Sequence, residues 1–254
     1  MTPLRRAHEL AADWNARFQG APALDVLRAA YAEFGREITL ASSFGPEDTA
    51  LIDLACQATD RPRVFFLDTG RLHEETYEIL NSVRDRYGLN IELFFPESSA
   101  VESLVRRKGP FSFYESIENR RECCGIRKVE PLGRALAGAR AWITGLRREQ
   151  SVTRTDVELV EVDETHNHIL KLNPLVDWTY EDVVSYHEER RIPMHSLVGK
   201  GYPSIGCAPC TRAIQPGEDQ RAGRWWWEAD DSKECGLHVD ESGQITRASG
   251  KANS

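Results

Sequence analysis

The chain has 254 residues, of which 41% are hydrophobic, and it carries a formal net charge of −8. This size and apolar content predict one α/β domain with a substantial core and exclude global disorder. The acidic balance excludes a nucleic-acid-binding surface spread over the whole protein. Because no apolar run reaches the ~18 residues of a membrane span and the amino terminus has no signal-peptide pattern, we expect a cytoplasmic protein without membrane association.

Hydrophobic periodicity predicts alternating helices and strands over the first 150 residues. Helical spacing dominates up to about Phe34. Short apolar runs then predict strands over 38–43, 64–67, 91–95 and 142–145, with helices over 49–58, 74–87, 101–108 and 124–136 between them. This alternation is typical of a mostly parallel, twisted sheet that is covered by helices on both faces.

The pattern changes in the last third of the chain. Residues 157–162 and 169–172 predict a β pair, and 179–191 predict a helix with Thr179 as its N-cap. We expect a single nucleotide-binding domain over residues 1–228. The polar segment over 229–254 is predicted to be mobile.

Three loops follow predicted strands and carry polar or basic residues. They contain Ser42-Ser43-Phe44-Gly45, Asp68-Thr69-Gly70 and Gly145-Leu146-Arg147-Arg148. Ligands of open α/β sheets bind at the carboxyl ends of strands, so these loops predict one nucleotide-sized crevice. Residues 120–150 also hold eight Arg or Lys against three Glu. That excess favours a compact anion as ligand, with a solvated helix face as the alternative.

Six cysteines are present, at positions 56, 123, 124, 207, 210 and 235. In a cytoplasmic protein they indicate metal or thiol chemistry rather than a disulfide framework. Cys56 lies in an apolar helical stretch and is interpreted as a core residue. The adjacent pair Cys123-Cys124 precedes a Cys207-x-x-Cys210 pair, and adjacent ligands suit the larger body of an iron–sulfur cubane better than one tetrahedral zinc ion. Zinc stays open as the alternative.

Two further residues stand near this chemistry. Lys128 follows Cys124 by about one helical turn. An ammonium group there would offset the charge of the thiolates or face an anionic ligand. The alternative is a lysine that is simply solvated. Cys235 lies between Lys233 and His238, whose charges would favour a thiolate. A lone cysteine of this kind is, by itself, a weak sign of a nucleophile.

Taken together, these motifs resemble the assimilatory adenylylsulfate (APS) and phosphoadenylylsulfate (PAPS) reductases. The resemblance runs from about residue 25 to His238. It rests on Leu67-Asp68-Thr69-Gly70, Arg224-Trp225-Trp226-Trp227 and the closing Lys233-Glu234-Cys235-Gly236-Leu237-His238. The two cysteine pairs are similar to those of the cluster-binding branch, which generally prefers adenylylsulfate.

The resemblance implies an adenine nucleotide α-hydrolase-like fold and a [4Fe-4S] cluster held by Cys123, Cys124, Cys207 and Cys210. It also implies that the Cys235 thiolate attacks the sulfur of adenylylsulfate, expels AMP and forms an S-sulfonate. A thioredoxin-like dithiol would then release sulfite for sulfate assimilation and cysteine biosynthesis. A homo-oligomer is a further expectation from the family.

By motif position, the expected substrate contacts are Ser42, Ser43, Gly45, Leu67, Asp68, Lys128, Gly145, Arg147, Arg148, Arg212, Arg221, Arg224 and His238. The loop at 42–48 departs from the Ser-Gly-Gly-x-Asp-Ser form of ATP pyrophosphatases. Three rival functions stay open: a PAPS reductase, an ATP pyrophosphatase that adenylates its substrate, and a non-enzymatic zinc-binding interaction module.

Overall fold

A computed structural model of the chain describes residues 3–150 and 156–228. The helices are α1 (Pro3–Arg17), α2 (Ala23–Phe34), α3 (Pro46–Ala58), α4 (Glu74–Tyr87), α5 (Ser98–Lys108), α6 (Ile117–Cys124), α7 (Glu130–Ala135) and α8 (Tyr180–Arg190). The strands are β1 (Ile38–Ser42), β2 (Val64–Leu67), β3 (Glu92–Phe94), β4 (Ala141–Ile143), β5 (Val160–Asp163) and β6 (Ile169–Leu172). None of these helices is long and apolar enough to cross a membrane.

The six strands form one sheet in the order β3-β2-β1-β4-β6-β5. Each pairing is parallel except that of β5 with β6. The chain winds from β1 outward to β3 and then returns to place β4 on the other side of β1. This reversal makes the β1/β4 junction the topological switch point, where open α/β sheets bind their ligands.

Side chains alternate between the two faces of the sheet, as the pleat of a strand requires. Val64 and Phe66 pack into a large apolar cluster with residues of α1 to α4. Phe65, between them, packs on the opposite face against Leu132 of α7. The helices therefore cover both faces, which confirms the fold class predicted from the sequence.

Two predicted helices differ from the structure. The first helical stretch is divided into α1 and α2, and Gly20 lies between them with a φ of 70° that favours glycine. The helix predicted over 124–136 begins earlier, at Ile117, because the Ser116 hydroxyl accepts a hydrogen bond from the Asn119 amide at 3.1 Å. A π-helical turn at Gly125–Val129 then connects α6 to α7.

The predicted β pair and the predicted N-cap of α8 are confirmed. Strands β5 and β6 pair in antiparallel fashion, with Val162 opposite Leu170. Thr179 caps α8 in a reciprocal capping box, in which its hydroxyl oxygen accepts from the Asp182 amide at 3.0 Å.

Candidate active site and cysteine cluster

A cavity of about 220 Å³ opens at the carboxyl ends of β1, β2 and β4. The start of α3, the turn before α7 and the loop over 203–206 complete its walls. Of the predicted substrate contacts in the described part of the chain, the cavity is lined by Ser42, Ser43, Gly45, Leu67, Lys128, Gly145, Arg221 and Arg224. The three loops predicted to converge therefore do so, at the switch point of the sheet.

The loop after β1 is held by its own hydrogen bonds. The Ser43 amide and hydroxyl both donate to Oδ2 of Asp48, at 2.6 and 2.7 Å. The Phe44 amide donates to the Ser42 hydroxyl at 3.1 Å, and Phe44 itself has a positive φ of 59°. Its buried ring packs against Phe66 with 5.1 Å between ring centres. This loop presents the start of α3 to the cavity, and a helix N-terminus favours an anion.

Among the described residues, Lys128, Arg221 and Arg224 are the cations that line the cavity, and the contacts of Arg224 show how one of them is held. Its Nη1 donates to the Ser204 hydroxyl and to the Ile205 carbonyl, both at 3.3 Å. Gly206 lies so close that a Cβ there would meet Arg224 Nη2 at 2.3 Å. Together with Lys128 and Arg221, this guanidinium gives the cavity a charge suited to phosphate and sulfate groups.

Arg147 lies behind the cavity wall rather than in it. Its side chain is fully buried and pairs with Glu47 at 2.8 Å and with Glu149 at 3.0 Å. Its Nη2 also lies 3.4 Å from the Gln220 side-chain oxygen, and both Glu47 and Gln220 line the cavity. The structure therefore places Arg147 as a support for the wall, away from the predicted anion contact.

Arg148 and Arg212, also predicted to contact substrate, are not among the lining residues. Arg148 pairs with Asp177 and donates to a backbone carbonyl. Arg212 pairs with Glu218 at 2.9 Å. Asp177 and Glu218 thus engage the two guanidinium groups. A count of charges along the sequence does not reveal these pairings.

Asp68 is buried beside the cavity and shapes the turn after β2. Its Oδ1 accepts from the Gly70 amide at 2.8 Å and from the Tyr77 hydroxyl at 3.0 Å. The next residue, Thr69, has its hydroxyl 3.2 Å from the sulfur of Cys207. The Leu67-Asp68-Thr69-Gly70 motif therefore joins the cavity to the cysteines.

The two predicted ligand segments, Cys123-Cys124 and Cys207–Cys210, meet next to the cavity. Cys123, at the end of α6, packs in one cluster with Cys207 and Cys210 and with the rings of Phe113 and Trp225. Cys124, the following residue, is half-buried. The Cys210 amide donates to the Cys207 carbonyl at 2.9 Å and so closes the loop between these two residues.

The electrostatics of these thiols link them to the cavity. Burial, with a smaller contribution from the neighbouring Cys207, raises the pKa of Cys210 to about 12, and Arg224 and Lys128 partly oppose this rise. Burial likewise raises the pKa of Cys123, against the lowering effect of Arg127. Lys128 and Arg224 therefore act on both the cavity and the cysteine cluster.

The residues around these cysteines fit a sulfur-rich, negatively charged group. Buried N–H groups without a hydrogen-bond partner point to missing acceptors: Arg71 Nη1, Arg127 Nε, Arg224 Nε and Trp225 Nε1. Over residues 3–150 and 156–228, no three His, Cys, Asp or Glu side chains converge to hold a metal ion. An adjacent pair together with a Cys-x-x-Cys pair suits the widely spaced ligands of a cubane, and the unpartnered N–H groups could donate to its sulfurs.

Comparison with known proteins decides the family. A family model described as the phosphoadenosine phosphosulfate reductase domain matches residues 37–213. The chain is 52% identical over 216 residues to adenosine 5'-phosphosulfate reductase of Burkholderia cepacia, covering 85% of this chain and 86% of that protein. The chain belongs to the phosphoadenosine phosphosulfate reductase family.

Further relatives agree with this membership. The adenosine 5'-phosphosulfate reductase of Pseudomonas aeruginosa (strain LESB58) is 47% identical over 220 residues, covering 85% of this chain and 81% of that protein. A crystal structure of phosphoadenylyl-sulfate reductase from Candida auris has a TM-score of 0.69 at 27% identity, over 81% of this chain and 97% of that one. The resemblance to the family is thus confirmed.

The fold extends beyond reductases. Candida glabrata FMN adenylyltransferase in complex with ATP matches with a TM-score of 0.53 at 15% identity, over 85% of this chain and 76% of that one. At this identity the likeness concerns the fold alone. It agrees with the adenine nucleotide α-hydrolase-like fold expected from the sequence.

Cys235 and His238 lie outside the described residues. The described chain ends at Glu228, and Cys235 follows it by seven positions. A chain of that length spans at most about 25 Å. The roles of Cys235 as nucleophile and of His238 as a substrate contact stay predictions.

Sequence reasoning missed several residues of this site. The lining residues Gln150, Ser204 and Gln220 belong to no recognised motif. The 203–206 loop did carry a signal, since it stands immediately before the Cys207-x-x-Cys210 pair. Arg71 directly follows the Leu67–Gly70 motif, and that adjacency could have pointed to it.

Proposed function

We propose that the protein reduces adenylylsulfate to sulfite and AMP, with Cys235 as the nucleophile and a thioredoxin-like dithiol as the reductant, in sulfate assimilation and cysteine biosynthesis. The observation that carries this proposal is the shared position of Lys128 and Arg224. Both line the cavity, and both lower the pKa of the neighbouring Cys210 thiol. The names of the bacterial relatives at 47–52% identity support adenylylsulfate as the substrate.

The reaction consists of two displacements at sulfur. The Cys235 thiolate attacks the sulfate sulfur, the bond from that sulfur to the phosphate oxygen breaks, and AMP leaves with the electron pair. A dithiol thiolate then attacks the Cys235 sulfur and expels sulfite. The second thiol of the reductant resolves the mixed disulfide, so Cys235 returns as a thiol and the dithiol supplies both electrons.

The cavity cations would stabilise the charge that develops in the first step. Lys128, Arg221 and Arg224 line the cavity in which we propose that the phosphate and sulfate groups bind. Fixed positive groups at a developing anion lower the barrier because they need little reorganisation. The start of α3 adds its N-terminal dipole on the same side.

We further propose that Cys123, Cys124, Cys207 and Cys210 hold a [4Fe-4S] cluster. When bound, the cluster would supply structural order and a fixed local charge next to the cavity, not the electrons of the reaction. The N–H groups of Arg71, Arg127 and Trp225 would donate hydrogen bonds towards its sulfurs. Ligation would also relieve the cost of crowding desolvated thiols together.

Phosphoadenylylsulfate is the second candidate substrate, because the matching family model is described by that nucleotide. Assays of sulfite and AMP release, under anaerobic conditions with a dithiol protein, separate the two. The proposal predicts equimolar sulfite and AMP and a kcat/KM for adenylylsulfate at least tenfold above that for the 3'-phosphorylated form, about 1.4 kcal/mol or more. The reverse ratio would assign the second candidate.

Specific contacts disfavour an ATP pyrophosphatase and a zinc-binding interaction module. An ATP pyrophosphatase needs free loop amides for the polyphosphate, yet the Ser43 and Phe44 amides are engaged within their own loop. For a zinc-binding module the adjacent pair Cys123-Cys124 is an awkward ligand set, because neighbouring side chains diverge around one tetrahedral ion. ATP consumption and zinc content are the measurements that test these two functions.

A further inference from the structure

A buried ion pair ties the helix that carries Cys123 to the last described residue of the chain. Arg120 donates through Nε and Nη2 to the two carboxylate oxygens of Glu228, each at 2.8 Å. The two side chains are 2% and 3% exposed. Neither residue lines the cavity, so the pair has no direct contact with a bound nucleotide.

Trp225 connects this ion pair to the active site. The guanidinium carbon of Arg120 lies 4.7 Å from the centre of a Trp225 ring, and that of Arg224 lies 4.8 Å from one. The Trp225 amide donates to the Cys210 carbonyl at 3.2 Å. The residue is 1% exposed and has a positive φ of 42°. One tryptophan thus contacts a cavity cation, the cysteine loop and the ion pair.

Burial of this ion pair is weak evidence that it contributes to the stability of the fold. Taking two charges out of water costs about as much as their attraction returns, so apolar residues of similar size often replace such pairs without loss. A forked, two-bond contact instead fixes geometry, because both groups are planar. Here the fixed point is residue 228, and Cys235 follows it by seven positions.

We propose that Arg120 and Glu228 are positioning residues for the sulfur transfer. The pair fixes Glu228, the root of the segment that leads to Cys235 seven positions later, and it holds the cavity-lining Arg224 in place through the shared Trp225 ring. A thiol on a short tether with a fixed root meets the bound sulfate more often in the productive geometry than one with a free root. This inference rests on the function proposed above.

A pair of double variants tests it on the anaerobically prepared, cluster-loaded protein. Arg120→Met with Glu228→Gln removes both charges and so avoids an unpaired buried ion. Lys171→Met with Glu161→Gln is the matched control, because that pair is also largely buried, at 7% and 11% side-chain exposure, but joins β5 to β6. Arg120→Lys is a milder third variant, which keeps the charge and loses the planar fork.

Three quantities are measured for each protein. They are the single-turnover rate of S-sulfonate formation on Cys235, the Kd of AMP, and the rate of tryptic cleavage between Arg224 and Trp225. Thermal unfolding and visible absorption establish that each variant is folded and loaded. Cleavage after Arg224 measures how firmly the Arg120–Glu228 pair holds this end of the described chain, and it does so independently of the reaction.

We expect the first double variant to form S-sulfonate about tenfold more slowly or worse, since small misplacements of reacting groups carry costs of that size. Its Kd for AMP should stay within about threefold of the unaltered protein, or about 0.7 kcal/mol. Its cleavage at Arg224 should be faster, Arg120→Lys should be intermediate, and the control pair should change none of these quantities.

A folded double variant that transfers sulfur at the rate of the unaltered protein and is cut no faster at Arg224 would overturn the inference. If the unaltered protein forms no S-sulfonate at all, the proposed function fails instead. In that case the cleavage rates still decide the anchoring role: equal rates refute it, and faster cleavage of the double variant supports it.

Discussion

Gly145 lies so close to Asp48 that a Cβ on the glycine would stand 2.6 Å from Oδ1 of the aspartate and 2.9 Å from Cβ of Glu47. Both distances are shorter than the contacts that Cβ atoms make in proteins. The loop after β4 can therefore approach the start of α3 this closely only if position 145 is glycine. This approach closes one wall of the cavity at the switch point of the sheet. The close approach of α3 therefore explains why position 145 is a glycine.

Gly145→Ala should open this wall. Because backbone and α3 must move apart, we expect about 1–3 kcal/mol of lost stability and a Kd for AMP that rises about tenfold or more. Urea denaturation and equilibrium binding measure the two effects. Gly133→Ala is the control, since a Cβ there meets nothing within 4 Å and lies in a helix, where alanine should stabilise by about 0.5–1 kcal/mol. Equal nucleotide affinity in the two variants would contradict the steric role.

Lys128→Gln should weaken catalysis more than folding. The lysine lines the cavity and acts on the Cys210 thiol, so its loss removes a cation from both sites. We expect kcat/KM for adenylylsulfate to fall by about 10²-fold, within the range seen when one transition-state donor is removed. Lys200→Gln is the comparison, because Lys200 is 61% exposed and pairs with Glu75. A Lys128 variant as active as the Lys200 variant would remove Lys128 from the site.

The stability of the protein should depend on pH through Asp48. Burial raises the pKa of this carboxyl from 3.8 to about 6, partly opposed by the hydrogen bonds from Ser43. A folded pKa above the unfolded one means that this group's contribution is present at low pH and is lost as pH rises from about 4 to above 6. Asn at this position does not ionise. Asp48→Asn should therefore gain stability relative to the unaltered protein, by on the order of 1 kcal/mol, between pH about 4 and about 7.

Urea denaturation of both proteins at the two ends of this pH range measures the difference. Asp85→Asn serves as the control, since the Asp85 side chain is 69% exposed. A relative stability of Asp48→Asn that stays constant, or falls, as pH rises would contradict the assignment.

Cys210→Ala should abolish the cluster, because Cys210 is one of its four proposed ligands. The expected result is loss of visible absorption and of bound iron and sulfide, against about four of each in the unaltered protein. Cys56→Ala should keep the full content, since Cys56 packs against the core away from the other cysteines. A Cys210 variant with an unchanged spectrum would exclude this residue from the ligand set, and zinc in place of iron would replace the cluster assignment.

The parts of the fold that follow local rules were predictable from sequence. Strand Val64–Leu67 and helix Glu74–Tyr87 match their predictions to the residue, because an unbroken apolar run marks the strand and an unbroken period of 3.6 marks the helix. The π turn at Gly125–Val129 was not predicted, since one extra residue in a helical turn leaves the apolar pattern almost unchanged.

The cavity was predictable in position, and three of its six predicted cations, Lys128, Arg221 and Arg224, line it. Strand ends and glycine-containing loops fix where a ligand binds. The role of Arg147, by contrast, depends on Glu47, one hundred positions earlier, which neutralises it in the folded chain. The Arg120–Glu228 pair was missed for the same reason, because its partners are 108 positions apart.

The most direct test of Cys235 as the nucleophile is mass analysis of the anaerobic protein after one turnover with adenylylsulfate and no dithiol. We expect a mass increase of one SO₃ group on the peptide that contains Cys235, with one AMP released per site, and sulfite release when dithiol is added. Cys235→Ser should bind AMP with unchanged affinity and gain no mass. A modified peptide elsewhere in the chain, or sulfite formation by the Cys235→Ser variant, would contradict the central claim.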